Sequence, residues 1–97
     1  PLNETALEIK GLMLTKQGAM VAAEKFFAHA LERNPSADSL RLHWAQLLYQ
    51  KRDFNKAILE AKKLFSNKKA SDHAKFIAAS SFYAQQKYDQ SEAFFLF

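Results

Sequence analysis

The chain contains no cysteine among its 97 residues, which excludes disulfide bonds and thiolate chemistry. This absence is compatible with a reducing compartment such as the cytoplasm or the nucleus, and it does not exclude the periplasm or the outside of a cell. No apolar run approaches the roughly 18 residues of a membrane span, so we expect no membrane insertion. No charged-then-apolar signal segment opens the chain. Because it begins at Pro1 rather than at methionine, we expect a fragment or a processed product.

Glycine and proline are also scarce, with two of each. These residues interrupt regular structure, so their scarcity predicts long helices. No stretch alternates in a sustained way between apolar and polar residues, and we therefore expect no sheet. The apolar content of 48% and the charged content of 25% are ordinary for a soluble domain. The length predicts a single domain over residues 1–97.

Residues suited to catalysis are few and far apart. The three histidines, His29, His43 and His73, never stand three or four residues from one another, which is the helical spacing of a metal-binding pair. The chain has neither a glycine-rich phosphate loop nor a Gly-x-Ser-x-Gly elbow. We therefore expect no enzyme, no metal, no cofactor and no small-molecule substrate.

A spacing of 34 residues recurs along the chain. Small residues and large apolar residues each return at this interval in two series. The small series are Gly11, Ala45, Ala79 and Ala23, Ala57, Ser91; the large series are Leu14, Leu48, Phe82 and Met20, Phe54, Tyr88. A fixed period of this length is typical of repeat architectures. An ordinary helical bundle would explain the apolar stripes but not the constant offset of the small residues.

Each period contains two helical stripes, so the pattern predicts six helices in three repeats, at about 4–37, 38–71 and 72–97. The expected turns lie near Gly18, Pro35, Arg52, Lys69 and Gln86. The fourth helix is expected to start after Asp53 as N-cap and to continue through Leu64.

The residues in register resemble the tetratricopeptide repeat (TPR) family over about 4–97. The first repeat matches the signature best, at Leu7, Gly11, Leu14, Gly18, Ala23, Phe27, Ala30 and Pro35. The chain departs from the family at Arg41 and Lys75, where a large apolar residue is preferred, and at Lys69, where proline is preferred. The resemblance implies an all-α, right-handed superhelical solenoid of antiparallel helix pairs, with helices A and B in each repeat.

The resemblance also implies a function, because the A helices of TPR proteins line a concave groove that holds extended peptides or helices. On this basis the chain is expected to capture an apolar or amphipathic segment of a protein partner. The expected groove residues are Leu12, Leu42, Gln46, Tyr49, His73, Phe76, Ser80 and Tyr83. The alternative is a structural segment of a longer TPR array within a multiprotein assembly.

One TPR subset clamps the C-terminal carboxylates of heat-shock chaperones with lysine, asparagine and arginine at set positions. The residues at those positions here are Glu8, Leu12, His43, His73 and Ile77. None of them matches the pattern, and Glu8 would repel a carboxylate. The resemblance therefore does not extend to a carboxylate clamp.

The net charge of +4 is concentrated in residues 51–75, which hold eight bases and three acids. The bases are Lys51, Arg52, Lys56, Lys62, Lys63, Lys68, Lys69 and Lys75. We interpret this basic region as a solvated outer face; a contact for nucleic acid or an acidic partner is the less favoured alternative. A second feature of the sequence is the apolar run Phe94, Phe95, Leu96 and Phe97, which predicts self-association through the C-terminal repeat.

Overall fold

The computed structural model describes residues 4–85, and five α-helices make up the regular secondary structure of this part of the chain. They are α1 (Glu4–Lys16), α2 (Met20–Arg33), α3 (Asp38–Gln50), α4 (Phe54–Lys62) and α5 (Ser71–Ala84). No strand occurs within residues 4–85, which confirms the all-helical prediction there. The expected sixth helix, the turn near Gln86 and the apolar run at 94–97 lie outside the described residues.

The turns after α1 and α3 have the same geometry, one period apart. Gly18 has a φ of 79° and Arg52, 34 residues later, has a φ of 68°. In the first turn the amide of Ala19 donates to the carbonyl of Leu14, and in the second the amide of Asp53 donates to the carbonyl of Leu48. This is the bond that closes a helix in a Schellman motif, which requires a left-handed residue. The period seen in the sequence is therefore also a period of the backbone.

The fourth helix differs from its prediction at both ends. It was expected to continue through Leu64 but ends at Lys62, and residues 63–66 form a turn. In this turn the amides of Leu64 and Phe65 donate to carbonyls three residues back, on Ala61 and Lys62, instead of four. The side-chain oxygen of Asn67 then accepts hydrogen bonds from the amides of Lys69 and Ala70, each at 2.9 Å. At the other end Asp53 occupies the N-cap position, but its side chain makes no capping hydrogen bond. Its ψ of 70° lies outside the β region that N-cap residues normally adopt.

The helices pack in a regular order. Each helix contacts the next one along the chain, and α3 also contacts α1 and α5. Within residues 4–85 the backbones of α2 and α4 do not come close to each other, and the contact between these two helices is the ion pair of Lys56 with Glu24. The helices α1, α3 and α5 therefore form a continuous row, against which α2 and α4 pack separately.

The buried apolar residues form two core clusters, one after the other along this row. The first core cluster joins α2 to α3 and consists of Ala23, Phe27, Ala30, Leu31, Ala37, Leu40 and Leu47. The second joins α3, α4 and α5 and consists of Ala45, Leu48, Ala57, Ala61, Leu64, Ala70, Ala74, Ile77 and Ala78. Trp44 packs against both clusters, so one indole connects the two halves of the core.

Small residues allow the helices to approach closely. A Cβ atom placed on Gly11 would overlap the ring of Phe27, which means that the ring lies directly on the backbone of α1. Phe27 is fully buried. Ala45 and Ala57 are also fully buried, on α3 and α4. Within residues 4–85, the small residues of the 34-residue series thus lie where helices meet.

A buried ion pair accounts for the polar residue at position 41. The guanidinium of Arg41 bonds to the carboxylate of Glu60 on α4, and its second amino group donates to the carbonyl of Pro35 at 3.0 Å. Both side chains are largely buried. Because a buried charge without a partner is strongly destabilising, the two residues depend on each other.

A second ion pair connects α2 to the end of α3. Lys51 bonds to Glu24, and Nζ of Lys56 lies 3.7 Å from the same carboxylate. The hydrogen bond from Lys51 lowers the pKa of Glu24 below its ordinary value, the positive charges of Lys51 and Lys56 add to this effect, and partial burial opposes it.

We predict that Ala57→Leu destabilises the protein. Ala57 is fully buried in the second core cluster, and overpacking such a site costs about 1–3 kcal/mol. For a domain of this size the melting temperature should fall by at least about 4 °C. The control is Ala22→Leu, the same change at an exposed position of α2, which should have little effect. Equal melting temperatures for the two variants would show that the packing of α4 is wrong.

We predict that the effect of Gly11→Ala depends on Phe27. Alanine improves helix propensity by about 1 kcal/mol, but its Cβ would overlap a ring that has no free space. The change should therefore destabilise the wild-type chain. In a Phe27→Leu background the overlap is removed, and the same change should stabilise. Urea unfolding of the four chains gives the coupling energy directly. A coupling energy of zero would contradict the contact.

We predict that the stabilising effect of Glu24 depends on pH. Its folded pKa is lowered, so its contribution is present above the unfolded value of about 4.3. The contribution is lost as the pH falls through the folded pKa. Glu24→Gln should therefore lower the free energy of unfolding at neutral pH by about 1 kcal/mol or less, and the difference from wild type should disappear in acid.

Urea unfolding as a function of pH measures this difference, with Glu32→Gln as the control. Glu32 lies 3.7 Å from Nδ1 of His29 in a pair that is largely exposed, so its removal should change little at any pH. A Glu24→Gln effect that stays constant through acid pH would contradict the prediction.

Candidate binding groove

Two surface pockets show how neighbouring helices of the row are oriented relative to each other. The first residues of α1 and α3, together with the residue before α5, line one pocket of about 340 Å³. The second halves of α1 and α3 line another pocket of about 250 Å³. Corresponding ends therefore lie side by side, so α1 and α3 run in the same direction. The surface along the row is the candidate binding groove.

The smaller pocket, here called the α1–α3 pocket, brings two of the expected groove residues together. Most of its surface is formed by carbon atoms, although five of its seven lining residues are polar or charged. The lining residues are Leu12, Thr15, Lys16, His43, Gln46, Leu47 and Gln50. Leu12 and Gln46 were both expected in the groove, and they are one period apart. Lys16 is the only lysine or arginine in this lining.

Leu42 lies at a different place from Leu12 and Gln46. It lines the larger pocket, here called the N-terminal pocket, whose other residues are mainly polar: Glu4, Ser36, Asp38, Ser39, Asn67, Lys69 and Ala70. Leu42 is also half-buried and packs against the second core cluster. One wall is held by Asn67, whose Nδ2 donates to Oδ2 of Asp38 at 2.6 Å.

The remaining groove candidates on α5 share one stripe. His73, Phe76, Ser80 and Tyr83 are spaced by three, four and three residues, which places them on one side of a helix. Phe76 and Tyr83 are more than half exposed. None of the four lines either pocket. The structure therefore places the eight candidates along the row of helices but does not bring them into a single cavity.

Tyr49 is less accessible than its predicted role requires. It is half-buried and packs against the second core cluster. Its ring lies 5.7 Å from the ring of Phe54, at 57° between the planes. An aromatic pair of this kind holds α3 to the start of α4. Tyr49 thus combines a packing role with partial exposure beside the groove.

A polar contact joins α1 to α3, and the sequence of neither helix predicts it. The Nε2 atom of His43 lies 3.4 Å from Oε1 of Glu8. The two residues are separated by one period plus one residue, which is the spacing of neighbours across the row. Glu8 is therefore engaged with α3 as well as being a negative charge near the groove.

The basic region is partly neutralised within the chain. Lys51 and Lys56 contact Glu24, and Nζ of Lys63 lies 3.2 Å from Oε2 of Glu60. Lys62 and Lys68 are exposed. The lysines of α4 lie on a helix that is not part of the row, so their charge does not line the α1–α3 pocket.

Two further properties concern residues 4–85 as a whole. None of the helices in this part of the chain has both the length and the apolar character that crossing a bilayer requires. In the same residues no three histidine, cysteine, aspartate or glutamate side chains come together as metal ligands would.

Comparison with known proteins adds no relative to this description. No family model matches the chain, and no curated protein matches it. The features that bear on its function are the 34-residue period and the surface along α1, α3 and α5.

Proposed function

We propose that the chain is a TPR-like protein-interaction module that binds an apolar or amphipathic segment of a protein partner along α1, α3 and α5. The observation that carries this proposal is the α1–α3 pocket. It is an apolar cavity between parallel helices, with Leu12 on one side and Gln46 on the other. Its position agrees with the groove that the sequence resemblance implies.

The backbone supports the TPR-like architecture. Three of the four connections between helices are only three or four residues long, and such short connections normally join antiparallel neighbours. The left-handed turn at Gly18 and Arg52 recurs at the period of the repeat. The packing order, in which one row of alternate helices is continuous, is the order expected of a solenoid of stacked helix pairs.

The size of the pocket indicates the kind of ligand. Small-molecule sites usually measure about 300–1,000 Å³ and enclose most of the ligand. The α1–α3 pocket is slightly smaller, at about 250 Å³, which suits one or two apolar side chains of a longer segment. The remaining contacts would come from neutral polar groups on the same surface, such as Thr15, Gln46 and Gln50.

This chain should lose little conformational entropy when it binds such a ligand. The groove residues stand on helices whose positions are held by the two core clusters. A preorganised surface loses little conformational entropy when a ligand binds, so more of the contact energy appears as affinity. Phe76 and Tyr83 extend the same surface along α5 and could add aromatic contacts.

Nucleic-acid binding through the basic region is less favoured. Three of its lysines already contact carboxylates within the chain. A nucleic-acid ligand would compete with these internal partners for charge, and its binding would weaken steeply as salt is added.

We predict that Leu12→Asp abolishes or greatly weakens ligand binding, because it places a charge in the apolar pocket. Selection from a phage-displayed library of random peptides would supply ligands, and fluorescence anisotropy would measure their affinity. The loss should be at least about tenfold, or 1.4 kcal/mol. Phe76→Ala and Tyr83→Ala should each weaken binding to a smaller extent.

The controls are Lys62→Ala and Lys63→Ala, two exposed positions near the end of α4. They should leave the affinity unchanged within about twofold. Circular dichroism would show that every variant keeps its helix content. If the lysine variants lose affinity while Leu12→Asp binds normally, the ligand binds elsewhere.

A further inference from the structure

The basic side chains of α1 and α3 differ in what they contact. The two helices carry three lysines and arginines, at positions 10, 16 and 41. Nζ of Lys10 lies 5.3 Å from the centre of the Phe26 ring, and Arg41 bonds to Glu60. Lys16 is exposed and forms no ion pair with any residue that the structure describes. One positive charge on this pair of helices is therefore not neutralised within the described part of the chain.

This charge lies at the α1–α3 pocket. Lys16 lines the pocket together with Gln50, which stands one period later and occupies the equivalent position of α3. Leu12 and Leu47 supply apolar surface to the same pocket. A group that enters the pocket therefore meets apolar side chains and, beside them, a single ammonium group.

The polar groups that remain available in the pocket can donate hydrogen bonds. Two others already have partners within the chain, since Thr15 donates to the carbonyl of Gly11 at 2.9 Å and His43 contacts Glu8. The lining then offers the two glutamine amides and the lysine ammonium as donors. An ionised carboxylate only accepts hydrogen bonds, and its bonds to a charged donor are the stronger ones. A carboxylate therefore complements this set of donors.

The helix ends at the pocket oppose an anion only weakly. The carboxyl end of a helix disfavours negative charge because its last carbonyls lack partners. After α1 the amides of Gly18 and Ala19 donate to carbonyls of the last turn, and after α3 the amides of Arg52 and Asp53 do the same. Both helices that form the pocket thus have carbonyls at this end that are already satisfied.

The acidic side chains of the row lie toward its other end. Glu4 and Asp38 line the N-terminal pocket, and Glu8 contacts His43. On α1, Glu8 precedes Lys16 by eight residues, which is about 12 Å along a helix. A carboxylate beside Lys16 therefore avoids these negative charges, whereas a carboxylate at the N-terminal pocket would meet two of them.

We propose that the segment bound by the α1–α3 pocket carries an aspartate or glutamate beside its apolar side chain, and that Lys16 pairs with this carboxylate. The apolar side chain enters the pocket over Leu12, and the amide of Gln50 donates to the same carboxylate. This inference rests on the proposed function and adds the chemical class of the partner, which is an acidic amphipathic segment. The net charge of +4 attracts such a segment at long range.

The first test is selection of peptides from a phage-displayed random library on the full 97-residue chain. Peptides selected on the wild type should be enriched in aspartate and glutamate at a fixed distance from an apolar residue. Lys16→Glu should instead enrich lysine and arginine at that position. The control is Lys25→Glu, at an exposed position of α2 outside the pocket. It changes the net charge equally and should select the same acidic peptides as the wild type.

The second test measures the ion pair by fluorescence anisotropy. One peptide selected on the wild type, and the same peptide with the amide in place of its acidic side chain, are titrated with the wild type, Lys16→Gln and Lys25→Gln. Either change at the pair should weaken binding about two- to fivefold, and both together should weaken it no further than one alone. Lys25→Gln should bind each peptide as the wild type does.

Salt gives an independent measure of the same contact. Raising the salt concentration to about 0.5 M should weaken binding of the acidic peptide to the wild type, because the pair is exposed to solvent. The amide peptide should bind with nearly the same affinity at both salt concentrations. Equal salt dependence of the two peptides would contradict the ion pair.

The possible outcomes separate this inference from the proposed function. Acidic peptides that lose affinity in both Lys16→Gln and Leu12→Asp support the two together. Peptides that require Leu12 but hold no excess of acidic residues, or that bind Lys16→Gln as tightly as the wild type, overturn the acidic class and leave the groove in place. Equal dependence on Lys16 and Lys25 shows attraction to net charge alone and also overturns the inference. Failure to select any peptide overturns both proposals.

Discussion

The close approach of neighbouring helices at small residues is the constraint on which the rest of the structure depends. At the first contact the ring of Phe27 lies on the backbone at Gly11, where even a methyl group would overlap it. At the next contact the small residues are the buried Ala45 and Ala57. Such contacts leave little freedom in the distance between helices, because packed interiors tolerate neither voids nor overlap. Since the small residues recur every 34 positions, the same spacing is imposed again along the chain.

The row of helices and its groove follow from this spacing. Short turns return the chain after α1, α2 and α3, and the left-handed residue recurs in two of them, at Gly18 and Arg52. Alternate helices then lie beside one another, and Trp44 fills the space between the two core clusters. The α1–α3 pocket is the gap that remains on the outer side of this row. Its two walls are held in place by α2, which packs against both α1 and α3, and by the direct contact of α1 with α3.

The parts of this fold that depend on local chemistry can be predicted from the sequence. Gly18 and Pro35 end helices for reasons that lie within a few residues of each, and the apolar stripes identify the helices between them. The end of α4 at Lys62 cannot be found in this way, because neither glycine nor proline occurs in residues 54–70. The burial of Arg41 cannot be predicted from its neighbours either, because its partner Glu60 lies 19 residues further along the chain. A period locates equivalent residues, but it does not say which side chains pair across helices.

The same limit explains why the groove candidates behave differently. The resemblance places Leu12, Leu42 and Tyr49 at groove positions, yet Leu12 lines an open pocket while Leu42 and Tyr49 are half-buried. The difference comes from packing, since Leu42 and Tyr49 lie against the second core cluster and Tyr49 also lies against the ring of Phe54. Both nevertheless keep part of their surface exposed.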